Sequence, residues 1–150
     1  MSRRFSVDRS ALDDHPPRLG PSVVLVHDCD AAAQFYQRAL DARPCGPEEG
    51  PSRQLALAGA APTGGDAHLW LVQPRSPAET SIVGRQTGDW PLLVLYTADC
   101  ESVRRRIVEA GGSPATSVPM GDRSGPAASA RDLYGNVILL LERQPHHVAA

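Results

Sequence analysis

The sequence predicts an α+β fold. Two tandem β-α-β-β-β modules form one curled eight-stranded mixed sheet, with a concave cleft on one side and two helices on the outer face. Three observations predict it. The segment Val23-Val24-Leu25-Val26-His27-Asp28-Cys29-Asp30-Ala31 returns 71 residues later as Val94-Leu95-Tyr96-Thr97-Ala98-Asp99-Cys100-Glu101-Ser102. The same offset pairs Leu69 to Pro74 with Leu140 to Pro145, so the two ends of each half match, the sign of a duplicated unit. In each half a β-branched run leads into an Asp and then a helical pattern, followed by further short strand patterns.

The elements follow in order. Pro21 to His27 reads as a strand, and Asp28 caps the helix after it because its carboxylate accepts from free N–H groups of the first turn. That helix runs to about Leu40, with Ala32, Phe35, Ala39 and Leu40 on one face and Gln34, Gln37 and Arg38 toward water. A poorer strand near 42–46 and two more at 52–58 and 67–73 complete the first module, with Gly59 to Asp66 as the turn. In the second module Leu92 to Thr97 is the strand and Asp99 the cap. Val103, Ile107 and Ala110 form the buried helix face, Gly111-Gly112 the stop, and segments near 113–118, 125–131 and 136–142 the last strands. This divides the chain into an N-terminal arm (1–20), a single domain (21–145) and a tail (146–150). The domain holds module one (21–74), a linker (75–91) and module two (92–145).

Composition narrows the function. At 150 residues, 41% hydrophobic and 21% charged, the chain suits one soluble domain. A net charge of -2 offers nothing for nucleic acid or an anionic membrane. No apolar run reaches the roughly 20 residues of a membrane helix, and the polar segment before Gly20 lacks a signal-peptide core, so a cytoplasmic location is expected. Cys29, Cys45 and Cys100 have no CxxC spacing and read as reduced thiols. Cys29 and Cys100 each open a helix, a position that can lower a thiol pKa.

Strand parity assigns the cleft. If Val24 and Val26 pack under the helix, then Pro21, Val23 and Leu25 line the hollow, as do Leu92, Val94 and Tyr96 by the repeat. His68, Trp70 and Val72 line it from module one, and Leu139 and Leu141 from module two. Arg53 reaches its rim, Trp70 and Tyr96 offer broad faces for stacking, and His68 is the one titratable group near the middle.

This pattern resembles the vicinal oxygen chelate superfamily, which holds glyoxalases, extradiol dioxygenases, epimerases and bleomycin-resistance proteins. The likeness covers residues 21–143. It rests on Arg131-Asp132-Leu133-Tyr134-Gly135-Asn136, similar to the family's Asp-Pro-x-Gly-Asn turn, and on Asp28-Cys29-Asp30 leading to Phe35-Tyr36. Val83-Gly84-Arg85-Gln86-Thr87-Gly88 followed by Val94 to Cys100 resembles a glyoxalase-like bacterial subfamily. The resemblance implies a divalent metal held by side chains from the first and last strands of each module. Counting from the helix-opening Asp and from the Gly turns puts those positions at Pro21, His68, Leu92 and Leu139. Only His68 can coordinate, and a catalytic ion needs about three protein ligands, so no metal site and no cofactor are expected. His27 is six residues, roughly 20 Å, along the strand. Glu142 is off phase and should face the helix, Asp66 adds at most a second ligand, and His146 and His147 sit in the tail.

Three functions are therefore open. The first is a metal-free member that binds or sequesters a hydrophobic or aromatic small molecule in the cleft, as the resemblance to antibiotic-resistance proteins suggests, with no catalytic residue except His68 as a weak candidate. The second is a divalent-metal-dependent lyase, isomerase or dioxygenase, which needs the strand phase to be wrong. The third is a protein-interaction module with a plugged cleft. A homodimer is expected, because family members commonly dimerise and some exchange modules.

Overall fold

The computed structural model describes residues 17–46, 50–61, 65–116 and 127–142. Most of the N-terminal arm, the tail with His146 and His147, Gly64 of the first turn, and the expected strand residues 117–118 and 125–126 lie outside the described residues.

Each module folds as β-α-β-β-β. Module one comprises β1 (Ser22–Leu25), α1 (Cys29–Leu40), β2 (Arg43–Cys45), β3 (Ser52–Leu57) and β4 (Ala67–Val72). A short helix, α2 (Pro77–Ser81), interrupts the linker. Module two comprises β5 (Leu93–Thr97), α3 (Cys100–Glu109), β6 (Ser113–Pro114), β7 (Ala127–Arg131) and β8 (Val137–Glu142). The strands form two four-stranded mixed sheets, ordered β1-β4-β3-β2 and β5-β8-β7-β6. In each, the first and last strands of the module run parallel and the other pairs antiparallel. The expected single curled sheet is thus two sheets, with no hydrogen-bonded strand pair joining them among the described residues.

The helices start where the acids predict. Asp28 accepts from the N–H groups of Asp30 and Ala31, and Asp99 from that of Ser102, so each carboxylate satisfies donors that a helix start leaves free. α1 buries Ala32, Ala33, Phe35, Tyr36 and Ala39 on its sheet, and α3 buries Ile107. α3 ends at Gly111-Gly112. A Cβ on Gly112 would collide with the Arg131 carbonyl, so the close approach of the helix end to β7 requires glycine there.

The modules meet helix against helix, α1 on α3, and one hydrophobic cluster runs from Val24 and Leu71 through Phe35 to Ile107, Ile138 and Leu140. Polar ties fix the meeting. Tyr36 Oη of α1 donates to Asp132 Oδ2 in the β7–β8 turn at 2.6 Å. The two oxygens of that buried carboxylate also accept from the Tyr134 and Asn136 backbone N–H groups and the Asn136 side-chain amide. Tyr134 Oη donates to the Asp28 carbonyl and accepts from the Asp28 N–H, while its ring meets His27 edge-on. Arg106 of α3 pairs with Asp41, the left-handed residue that ends α1, at 2.9 Å. Gly84 in the linker has a φ of 76°, and a Cβ there would strike the Tyr134 carbonyl. The linker therefore lies directly on the turn.

The thiols at the helix starts are pushed up, not down. For Cys29 burial outweighs the opposing charge of Arg53, and Asp30 and Asp28 raise it further. For Cys100 burial leads and the nearby Glu142 adds to it. Desolvation of the thiolate outweighs the helix-start effect at both sites.

Four outcomes follow from these contacts. Tyr36→Phe removes one donor from the buried Asp132 carboxylate and should cost about 1–3 kcal/mol in urea unfolding, with an unchanged m-value. Burial and Asp132 hold the Tyr36 phenol well above its ordinary range. The unfolded phenol ionises near pH 10 while the folded one stays protonated, so stability should fall as pH rises above about 10, by less in Tyr36→Phe. Gly84→Ala should destabilise by more than about 1 kcal/mol in the same assay. Iodoacetamide labelling of the native protein at pH 8, read by mass spectrometry, should modify half-buried Cys45 first and leave the buried Cys29 and Cys100 unlabelled until denaturant is added.

Candidate functional site

Parity along the strands separates two faces in each sheet. In module one Val24, Leu55, Leu57, Leu69 and Leu71 are buried beneath α1, and their alternates point the other way. Cross-strand pairing arranges those alternates in rows. Val23, Trp70, Gln54 and Cys45 are successive partners across the four strands. In the next row His68 is paired to Ala56, and Ala56 to Arg43. In module two Val94 pairs with Leu139 and Tyr96 with Leu141, and Ser129 stands beyond Leu139.

The expected site residues divide among three environments. Val23, His68, Trp70, Val94 and Tyr96 are exposed on these open faces, Trp70 at 39% and Tyr96 at 61%. Leu25 is half-buried there, and Leu92 is half-buried against the core. Leu139 and Leu141 are buried, at 3% and 7%, and offer no open surface. Arg53 lies on the helix side, paired with Leu71 in register and tied to Asp30 at 3.2 Å and to the Gly50 and Ser52 carbonyls. It lines a cleft of about 440 Å³ between α1 and β2–β3, together with Asp30, Gln34 and Gln37, and Gln54 and Cys45 border the same cleft from the β2–β3 edge. Each open face lies on the side of its sheet remote from the α1–α3 contact. Each open face belongs to its own sheet, and no hydrogen-bonded strand pair joins the two among the described residues.

The linker forms an edge of the first plate. β1 ends its sheet, and the Gln86 side-chain amide occupies the free edge. Its oxygen accepts from the Leu25 N–H at 2.6 Å and its nitrogen donates to the Val23 carbonyl at 3.1 Å. One side chain thus makes the bonds a neighbouring strand would make.

The donor set does not fit a divalent ion. The 71-residue offset holds between β1 and β5, but Val23 pairs with Trp70 while Val94 pairs with Leu139, so the last strands correspond at an offset of 69. Trp70, not His68, therefore matches Leu139. The positions first counted become Pro21, Trp70, Leu92 and Leu139, which carry no metal-binding atom. Glu142 is on the α3 side, where its charge bears on Cys100, and Asp66 accepts from the Gly59 N–H across its own turn. No cluster of three His, Cys, Asp or Glu side chains suited to a metal occurs among the described residues. No helix among them is long and apolar enough to cross a membrane.

Arg43, like Gln54 and Cys45, is an open-face residue absent from the expected site, and it is the charged one among them. Its strand is three residues long and contains Pro44, so no alternation could assign its side. Only the register to β3 does so.

No protein-family model and no curated protein matches this sequence. Solved structures do match. An antibiotic binding protein from a Streptomyces species, TnmS3, superposes with a TM-score of 0.56 at 26% identity, covering 87% of this chain and 100% of that one. The fosfomycin resistance protein FosX from Listeria monocytogenes gives 0.61 at 14% identity, covering 87% and 94%. A glyoxalase/bleomycin resistance protein from Albidiferax ferrireducens gives 0.55 at 20%, covering 81% and 95%. With paired β-α-β-β-β modules and these structural neighbours, the chain has the fold of the vicinal oxygen chelate superfamily.

Proposed function

We propose that this protein binds and sequesters an aromatic or otherwise hydrophobic small molecule on its open sheet faces, without a metal, and that it does so as a homodimer. The observation that carries the reading is the pair of exposed aromatic side chains, Trp70 and Tyr96, on plates whose metal-ligand positions hold apolar side chains. An exposed tryptophan beside Val23 and a tyrosine beside Val94 are costly to leave in water, and burying them against a planar guest recovers that cost. Because the two plates point away from the shared helix layer, a second copy supplies the opposing wall: module one of one chain faces module two of the other. The Streptomyces neighbour is an antibiotic binding protein by its description, which supports a binding role over a catalytic one. A lyase, isomerase or dioxygenase reading finds no ligand set for its ion among the described residues.

Sedimentation or light scattering of the untagged protein should give a dimer, and a thermal-shift panel of planar aromatic compounds should give saturable stabilisation. Trp70→Ala and Tyr96→Ala should each weaken binding of a hit by about tenfold or more. The unliganded melting temperature of Trp70→Ala should move little, because that side chain is solvent-exposed. Near-stoichiometric Fe, Mn, Ni or Zn in the purified protein, or loss of binding after chelator treatment, would overturn the reading.

A further inference from the structure

The open face of module one is not purely apolar. We infer that it selects aromatic molecules bearing an acidic group, a carboxylate or phenolate, with Arg43 and His68 as the anion-recognising pair; this inference rests on the binding reading above. Cross-strand pairing puts His68, Ala56 and Arg43 in one row on β4, β3 and β2, so the imidazole and guanidinium flank a small methyl group. With strands about 4.8 Å apart, the two Cα atoms are about 10 Å from each other, and both side chains can lean over Ala56 to a common point. The neighbouring row holds Trp70 with Gln54 beside it. A ring stacked on the indole therefore has its edge directed along the sheet toward the row that holds Arg43 and His68.

The charge inventory supports an anion over a cation. The residues sharing this face in register are Val23, Leu25, Ser52, Gln54, Val72 and Cys45, besides those three and Trp70, and none is Asp or Glu. Arg43 and His68 are exposed, and neither has an ion-pair partner among the described residues. The other arginine of these strands, Arg53, is turned to the helix side and held by Asp30. Arg43 thus remains to recognise a ligand oxygen, which a guanidinium does through paired N–H groups. A cationic guest meets the Arg43 charge here and finds no carboxylate in register on this face among the described residues to offset its desolvation.

Three matched fluorophores test this: 2-anthracenecarboxylate, 2-(hydroxymethyl)anthracene and 2-(aminomethyl)anthracene, titrated with the full chain and read by anthracene anisotropy at low salt. The carboxylate should bind at least about tenfold more tightly than the amine, and added salt should weaken the carboxylate alone. Arg43→Gln should reduce carboxylate affinity about tenfold and leave the alcohol unchanged, His68→Gln should act in the same direction, and Trp70→Ala should weaken all three. Equal affinity for carboxylate and alcohol, or an Arg43→Gln variant that weakens both alike, overturns the anion assignment while the binding reading stands. If none of the three binds the wild-type chain, the binding reading falls and this inference with it.

Discussion

The arrangement of the molecule depends on one buried hydrogen bond, from Tyr36 Oη on the first helix to Asp132 in the final turn of the second module. A carboxylate without water must have its lone pairs occupied, and Asp132 has four donors for its two oxygens. Three of them come from its own turn, which shapes the lead into β8, and the fourth comes from the other module. The bond therefore couples the conformation of a local turn to the docking of the two halves. Because it pulls α1 toward the β7–β8 turn, the helix layers face each other, and the sheet faces are left to the outside.

That arrangement leaves aromatic side chains exposed on the sheets. Meeting through helices, the two halves leave Trp70 exposed on the first sheet and Tyr96 exposed on the second. In the proposed homodimer a guest would lie between two chains, which links occupancy to assembly.

Much of the fold was legible in the sequence because it is written in local chemistry. Asp28 and Asp99 marked the helix starts through their carboxylates, and alternation in β4 separated Leu69 and Leu71 from His68 and Trp70. The helix α2 was also written there and overlooked. Ser76 accepts from the Glu79 N–H, and Pro77 follows the cap, a start pattern hidden in a segment read as linker. The site was less legible. The repeat suggested a constant offset, but the β3–β4 and β7–β8 connections differ in length, so the last strands slipped by two residues. The shift kept every face and exchanged Trp70 for His68 in the metal-ligand comparison. Arg53 was misassigned because a residue next to a strand end has no alternating context strong enough to fix its side. The placement of one module on the other rests on long-range bonds such as Tyr36 to Asp132 and Gln86 to β1, which no periodicity encodes.

The Gln86 amide on the outer edge of β1 has a bearing on life in a crowded solution. An uncovered strand end of this kind templates open-ended stacking, in which each molecule adds its edge to the next and nothing limits the chain of additions. By engaging both the Leu25 N–H and the Val23 carbonyl, a single linker side chain removes that template, while the flat face beside it stays accessible. The first sheet can thus keep Trp70 exposed without inviting fibrous self-association through its first strand.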